Sequence, residues 1–322
     1  MIPQPGQSVP FRRRQQREGP YSMAQLTAVV SGVRGQVIFD APLAEWTSLR
    51  IGGPADVLVV PDDQEDLIRL IGQAATLQVP VFVLGGTNVL VRDGGIRGVV
   101  ISLAKCACIQ EAPQHRLYAE AGVRLPVLMQ YAAARALSGL EWAAGIPGTV
   151  GGAIVMNAGT HLGQMQDCVH AVQLLDAQGV VRVIPACDLA FSYRHVDLPD
   201  KAVILGAWLQ LAPAPKKKID AATKAYLQHR KATQPLTRPN AGSVFKNPPH
   251  MSAGRLIELA GLKGTRVGDA QVSQKHANFI INMGRARAVD AIVLIHKVQQ
   301  AVFHQFGITL DLEWKIVGEG SS

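Results

Sequence analysis

Ser243 stands after the flexible step Ala241-Gly242 and before an apolar pair, Val244-Phe245, with an amine (Lys246) and an amide (Asn247) just beyond and Pro248 closing the run. A hydroxyl beside anion-binding groups is the raw material for delivering a proton to a charged substrate. Gly242 can take backbone angles closed to other residues, so Ser243 can project from a turn where a ligand lies against main chain. The same residues also suit a β-turn entering a short strand that stops at Pro248.

Two glycine-rich runs offer such a ligand a bed. In Leu84-Gly85-Gly86-Thr87-Asn88 successive N–H groups with little or no side chain make a concave anion cradle suited to a pyrophosphate. The spacing is not that of a GxGxxG dinucleotide loop, and a plain tight turn fits it as well. In Gly145-Ile146-Pro147-Gly148-Thr149-Val150-Gly151-Gly152, five of eight residues are Gly or Pro, which no ordinary helix or strand tolerates. A chain keeps such a run where a flat ligand touches backbone. Asn157 follows with an amide that can donate and accept, or serve only as a turn cap.

Tyr193-Arg194 joins an aromatic ring to a guanidinium whose fork matches a carboxylate; a surface cation packed on a ring reads the same way. His276, at the head of an expected strand, suits a core position as well as a site. Glu313 lies on the polar side of an alternating run, where Asp311 looks equally good. The spacings contain no zinc set, no Ser-His-Asp order and no P-loop lysine, so no metal is expected.

Several elements must position these residues. A strand is expected over 55–60, a helix from Pro61-Asp62 with Asp62 as cap and Glu65 three residues on, a strand over 80–84, the Gly85 loop, and a third short strand over 89–91 before the Asp93-Gly94-Gly95 turn. A second group holds a helix over 125–137, the glycine run, a hairpin of 172–175 with 180–184, and a strand over 203–211. Ala212-Pro213-Ala214-Pro215 and three lysines read as a linker. Beyond it come a basic helix to Lys231, a helix after Ser252, a strand over 276–281, a helix over 289–306, and a last strand over 308–316 whose period-2 alternation puts Glu313 on its polar face. The expected divisions are a disordered basic tail over 1–22, with Met23 an alternative start, subdomains over 23–105 and 106–213, and a C-terminal domain over 214–322.

Composition limits the function classes. The chain of 322 residues is 48% hydrophobic but only 5% aromatic, the balance of an aliphatic, multi-domain α/β-type enzyme. No apolar run approaches the ~18 residues of a membrane span, and the N-terminus lacks the apolar segment of a secretory signal. The net charge is +8. Of this, Arg12, Arg13, Arg14 and Arg17 against Glu18 supply +3, and the basic stretch after Lys216 has only Tyr226 for base stacking. A small polyanion suits the remainder better than nucleic acid. Four cysteines with neither a paired metal spacing nor a small stapled framework suggest a reducing cytoplasm.

Taken in order, Leu49-Arg50-Ile51-Gly52-Gly53-Pro54-Ala55-Asp56, the Gly-Thr-Asn loop, Asp93-Gly94-Gly95-Ile96-Arg97-Gly98, the run from 145 to 159, Tyr193-Arg194, the Ser243 segment, Val267-Gly268-Asp269-Ala270-Gln271-Val272-Ser273 and His276-Ala277-Asn278-Phe279-Ile280-Ile281-Asn282 resemble the UDP-N-acetylenolpyruvoylglucosamine reductase family, in its shorter second type. The resemblance runs from about residue 38 to the C-terminus. It implies an α+β chain: a two-subdomain FAD-binding fold of the vanillyl-alcohol-oxidase kind plus a C-terminal α/β substrate-binding domain. FAD is then held without a covalent bond by Gly85, Gly86, Thr87, Asn88, Gly145, Ile146, Pro147, Gly148, Thr149, Gly152 and Asn157, with NADPH as co-substrate. In the family's reaction hydride passes from flavin N5 to the vinyl C3 of an enolpyruvyl UDP-sugar, and a proton is added at C2. Arg194 matches the cation that stabilises the enolate, Ser243 the proton donor, and Glu313 the third catalytic residue. Tyr193, Arg230, Lys246, Asn247 and His276 match substrate contacts.

Two departures bear on these roles. The phosphate loop is one residue shorter than the family's Gly-x-Gly-Ser/Thr-Asn, and after Asn157-Ala158-Gly159 the usual Ala-Tyr-Gly-Gly-Glu is Thr160-His161-Leu162-Gly163-Gln164, with Val196 in place of a Ser after the Tyr-Arg pair. The expectation is a cytoplasmic enzyme of peptidoglycan synthesis acting on a UDP-sugar, monomeric or weakly oligomeric. The alternatives are an FAD oxidase of the same fold acting on another alcohol or sugar, and a basic binding module.

Overall fold

The computed structural model describes residues 20–320. Most of the expected basic tail therefore lies outside the described residues. Ser22 is not tail but the N-cap of helix α1 (Met23–Val29): its Oγ accepts from Gln25 N, and Gln25 Oε1 accepts from Ser22 N at 3.0 Å.

The first sheet has the order Gln36–Pro42, Pro54–Val60, Ile96–Ile101, Val81–Val83, with an antiparallel first pair and parallel pairing after it. Helix α2 (Gln64–Thr76) covers it. Its cap is Asp63 rather than Asp62: the Asp63 carboxylate accepts from Asp66 N at 2.8 Å, while the Asp62 carboxylate is taken up by Lys105 at 2.5 Å. Asp66 is wholly buried and accepts from the N–H groups of Arg34, Gly35 and Asp62, so a charge-assisted knot ties the chain entering the sheet to α2.

An antiparallel five-stranded sheet follows, ordered Val181–Pro185, Val169–Leu175, Val203–Gln210, Arg116–Glu120, Ile109–Ala112. Helices α3 (Leu125–Ala134) and α4 (Val150–Val155) belong to this region, and the apolar residues between it and the first sheet form one continuous core. The expected linker at Ala212-Pro213 is a paired strand on Leu137–Ser138, and helix α5 (Lys216–Thr233) starts directly after Pro215 and lies against α3 and the turn Glu141–Ala143.

Beyond α5, helix α6 (Ala253–Leu259), capped by Ser252, and helix α7 (Ala288–Phe306) pack with a three-stranded sheet, Arg266–Val267, Ala270–Val272 and Ile280–Asn282. The strand expected from His276 begins only at Ile280, because Phe279 N closes a turn on His276 O at 3.0 Å. The long final strand is likewise divided. Leu312 makes one bridge to Phe245, and Lys315–Val317 leaves to pair in parallel with Val89–Val91 of the first region. Leu310 and Trp314 still point into the core as the alternation requires. Asp93 binds the region further by accepting from Ala288 N and Val289 N at the start of α7, at 2.8 and 3.1 Å, and Asn282 Nδ2 donates to Leu49 O and Arg50 O. Among the described residues no helix is long and apolar enough to cross a membrane.

Candidate active site

A cavity of about 1070 Å³ opens where these regions meet. One wall is mostly main chain: Gly85, Thr87 and Asn88 from the loop after Val81–Val83, and Ile146, Pro147, Gly148, Thr149 and Gly152 at the start of α4. Thr149 caps α4 through Oγ1, and Val150 N and Gly151 N are spent on Val123 O and Ala121 O at 2.9 Å each. The bed is therefore rigid. A Cβ at Gly148 would meet nothing within 4 Å, one at Gly152 only Thr149 Oγ1 at 3.5 Å, and one at Gly85 nothing nearer than Gly152 Cα at 4.0 Å. Side chains there would fill the cavity; glycine leaves bare backbone for a flat, phosphate-bearing group. These residues fit FAD.

Three expected members of this bed lie elsewhere. Gly86, at φ +74°, turns its carbonyl to Ser48 N at 2.7 Å, and a Cβ on it would meet Trp46 O at 2.8 Å, so it shapes the loop from beneath. Gly145 sits behind Ile146 against Leu227 and Arg230. Asn157 is 0% exposed. Its amide donates to Ser192 O at 2.9 Å and accepts from Gln166 N at 3.0 Å, so it holds the hairpin that precedes Arg194 instead of facing the cavity.

The opposite wall carries side chains. Arg194 adopts φ +60° in the turn between Phe191–Ser192 and His195–Val196, with Nη2 donating to Gly159 O at 2.8 Å. Its Nε lies 3.1 Å from Glu313 Oε1, close enough for an ion pair but out of line for a hydrogen bond. Glu313 arrives on the segment between Leu312 and Lys315, held by Glu313 N donating to Val244 O at 2.8 Å and by Asn88 Nδ2 donating to Glu313 O at 2.9 Å. Burial pushes the Glu313 carboxyl above its usual range; Arg194 and Lys246 pull the other way without cancelling it. Ser243 lines the same cavity beside Gly242 at φ +82°.

Among the expected substrate contacts, Arg230, Asn247 and His276 line the cavity. Burial lowers the Arg230 pKa; its Nη2 donates to Gln234 Oε1 at 2.8 Å, and its buried Nε has no partner among the described residues. Burial also lowers the His276 pKa, with Lys263 acting in the same direction. Tyr193 is 49% exposed and packs beside the Arg194 guanidinium. Lys246 influences the site through its charge on Glu313; neither Tyr193 nor Lys246 is on the cavity wall.

The sequence reading missed Trp142, Met156, His161, His229 and Lys275 on that wall. A signal existed for one group. Helix α5 buries only Ile219, yet Ala225, Tyr226, His229 and Arg230 recur at one-turn spacing on a single face, and that face lines the cavity. His161 approaches His229 edge to face, ring centroids 6.3 Å apart.

Known proteins resemble this chain over most of its length. Residues 234–317 match the family model "UDP-N-acetylenolpyruvoylglucosamine reductase, C-terminal domain", and residues 55–184 match an FAD binding domain. The chain is 45% identical over 291 residues to a UDP-N-acetylenolpyruvoylglucosamine reductase of Moorella thermoacetica, covering 90% of this chain and 96% of that one. It is 46% identical over 288 residues to one of Geobacter metallireducens, covering 89% and 96%. Among solved structures, a UDP-N-acetylenolpyruvylglucosamine reductase from Thermus caldophilus superposes with a TM-score of 0.76 at 40% identity, covering 88% of this chain and 99% of that one.

Proposed function

The chain belongs to the UDP-N-acetylenolpyruvoylglucosamine reductase family, and from that premise we propose the work done by its own residues. It is an FAD-dependent oxidoreductase that uses NADPH to convert the enolpyruvyl UDP-sugar, UDP-N-acetyl-3-O-(1-carboxyvinyl)-glucosamine, to UDP-N-acetylmuramate in peptidoglycan synthesis. The comparisons support this reductase and not the oxidase alternative.

The observation that carries the residue assignment is the convergence of Ser243, Arg194 and Glu313 on one cavity, opposite a wall of bare glycine backbone. FAD, when bound, would supply the hydride chemistry, with NADPH as the source of its two electrons and the vinyl C3 as the acceptor. Gly85, Thr87, Asn88, Ile146, Pro147, Gly148, Thr149 and Gly152 would hold the cofactor, largely through main chain. Hydride arrival at C3 puts negative charge on C2 and the substrate carboxylate, and Arg194 is the preorganised cation that stabilises it. Ser243 Oγ then gives its proton to C2 and recovers one from solvent. Glu313, whose raised pKa keeps its protonated form available further toward neutral pH, orients the carboxylate end and holds Arg194 in place. Arg230, Asn247 and His276 bind the nucleotide-sugar, with Tyr193 and Lys246 supporting Arg194 and Glu313 from outside the wall.

The same reading divides the chain into flavin-binding subdomains over 23–105 and 106–213 and a substrate-binding domain over 214–322. It also carries a cytoplasmic location, where nucleotide-sugars and NADPH are found, and a monomeric or weakly oligomeric state. The test is anaerobic stopped-flow: bound flavin is reduced with NADPH, then mixed with the enolpyruvyl UDP-sugar. Rapid reoxidation is the expected result, and a flavin that stays reduced on mixing would sink the assignment.

A further inference from the structure

The Ser243 segment belongs to no regular strand, yet the backbone just after Ser243, at Val244 and Phe245, is bonded on both sides. On one side Val244 O accepts from Glu313 N and Lys246 N donates to Asp311 O, both at 2.8 Å. On the other side a single residue stands in for a neighbouring strand. Asn278 O accepts from Val244 N at 2.9 Å, its Oδ1 accepts from Phe245 N at 3.0 Å, and its Nδ2 donates to Phe245 O at 2.8 Å. Asn278 is 3% exposed, so these bonds form away from water, where each group left unpaired costs about 1–3 kcal/mol.

The type of side chain matters here. Phe245 presents one donor and one acceptor, and an amide is the short side chain that answers both. A carboxylate of the same shape would set an acceptor against the Phe245 carbonyl. Asn278 is itself aimed by its N–H, which donates to His276 Nδ1 at 3.2 Å. On the N-terminal side Asn240 is held by its bridge to Ile281 and its Oδ1 accepts from Gly242 N at 3.1 Å, but Gly242 itself, at φ +82° with open space around it, leaves a pliant joint next to Ser243. The direction of Ser243 Oγ is thus set from its C-terminal side.

We propose that Asn278 is the positioning residue for the Ser243 hydroxyl, its side-chain amide locking Val244-Phe245 so that Oγ faces the substrate carbon to be protonated. This rests on the proton-donor reading of Ser243. Misplacing a reacting group by about 1 Å can cost on the order of 10²-fold in rate, and only the proton-transfer half of the reaction uses this group.

The experiment compares Asn278→Asp, Asn278→Ala, Ser243→Ala and the double variant Ser243→Ala/Asn278→Asp in separate half-reactions. For Asn278→Asp, flavin reduction by NADPH should stay within about 2-fold of wild type and FAD affinity, read by fluorescence, should be unchanged. Reoxidation by the enolpyruvyl UDP-sugar should slow about 10- to 100-fold with a larger solvent isotope effect. In the Ser243→Ala background the same change should cost almost nothing more, since the group it aims is gone. Equal slowing of both half-reactions, or full additivity in the double variant, overturns the proposal. If Asn278→Ala fails to fold, Asn278→Asp still carries the comparison. If Asn278→Asp also fails, Asn278→Ser, which keeps the main-chain bond to Val244 N but removes the amide from both polar groups of Phe245, should give the same split, and normal reoxidation in it overturns the proposal. A wild-type enzyme that the UDP-sugar does not reoxidise defeats the functional reading itself, an outcome distinct from all of these.

Discussion

The wall assigned to the flavin is made of main chain whose glycines leave it bare, while the wall that carries Ser243, Arg194 and Glu313 is made of side chains on short irregular segments. The first is held by its own cap and by main-chain to main-chain bonds, such as Thr149 on Gly152 N and Ala121 O on Gly151 N. In the second, each catalytic segment is tied by an asparagine from elsewhere in the chain: Asn88 to the carbonyl of Glu313, Asn157 to that of Ser192 just before Arg194, and Asn278 to both polar groups of Phe245. A bed for a permanent cofactor needs shape, which backbone supplies cheaply. Groups that meet a transient charge need exact direction, which short segments hold only if other side chains bond them.

The sharpest way to break this contrast is Ser243→Ala. General acid catalysis is worth about 10²- to 10⁴-fold, so substrate-driven reoxidation should fall by about 10³-fold while NADPH reduction of the flavin changes less than about 2-fold. Equal loss in both half-reactions would mean that Ser243 serves the flavin wall. The complementary change is Gly85→Val. Its branched side chain would project into space that is open in this structure, and FAD affinity should drop by about 100-fold, or roughly 2.7 kcal/mol. The melting temperature of the cofactor-free protein should hold, and an unchanged FAD affinity would show that the loop is not the cradle.

Asn157 follows helix α4 of the flavin wall in sequence but bonds the Ser192 segment of the other wall. As an expected flavin ligand its loss should weaken FAD. As the buried partner of Ser192 O and Gln166 N, its replacement by Ala should instead destabilise the fold by about 2–3 kcal/mol, the cost of orphaned buried groups, and slow reoxidation about 10-fold through a displaced Arg194. Chemical denaturation, FAD titration and the two half-reactions together separate these outcomes.

The contrast also explains what could be read from the chain. The glycine bed was legible because Gly145-Ile146-Pro147-Gly148-Thr149-Val150-Gly151-Gly152 is too rich in Gly and Pro for an ordinary element, although its last three residues open helix α4, and the helices α2, α5 and α7 because their residue patterns are local too. The catalytic wall was not. Ser243 read equally well as a turn, Asp311 rivalled Glu313, and only the ordered resemblance to a family separated them. The structure supplies the physical reason: Glu313 is distinguished by burial beside Arg194 and by a strand borrowed from Val89–Val91, contacts between residues more than a hundred positions apart. The cap at Asp63 rather than Asp62 is the same lesson in miniature, since Lys105 takes Asp62.

The smallest expected effect is one of pH, and it tests whether the catalytic wall responds as a unit. Burial, with Lys263 assisting and Glu258 opposing, holds the His276 pKa below its usual value near 6.5. A base whose folded pKa lies below its unfolded one contributes full stability above the unfolded value, and that contribution is lost as pH falls from about 6.5 toward the folded pKa, because there the unfolded chain binds more protons. Protonation of the folded protein, which comes only at the lower end of that window, also fills the Nδ1 lone pair that accepts from Asn278 N, so the clamp on the Ser243 segment should loosen there. Between pH 7.5 and 5.5 the wild-type protein should therefore lose more unfolding free energy than His276→Gln, and its reoxidation rate should fall while flavin reduction keeps its own profile. Parallel pH profiles for the two half-reactions would mean that acid acts through the flavin wall, and that His276 and Asn278 are not coupled to Ser243.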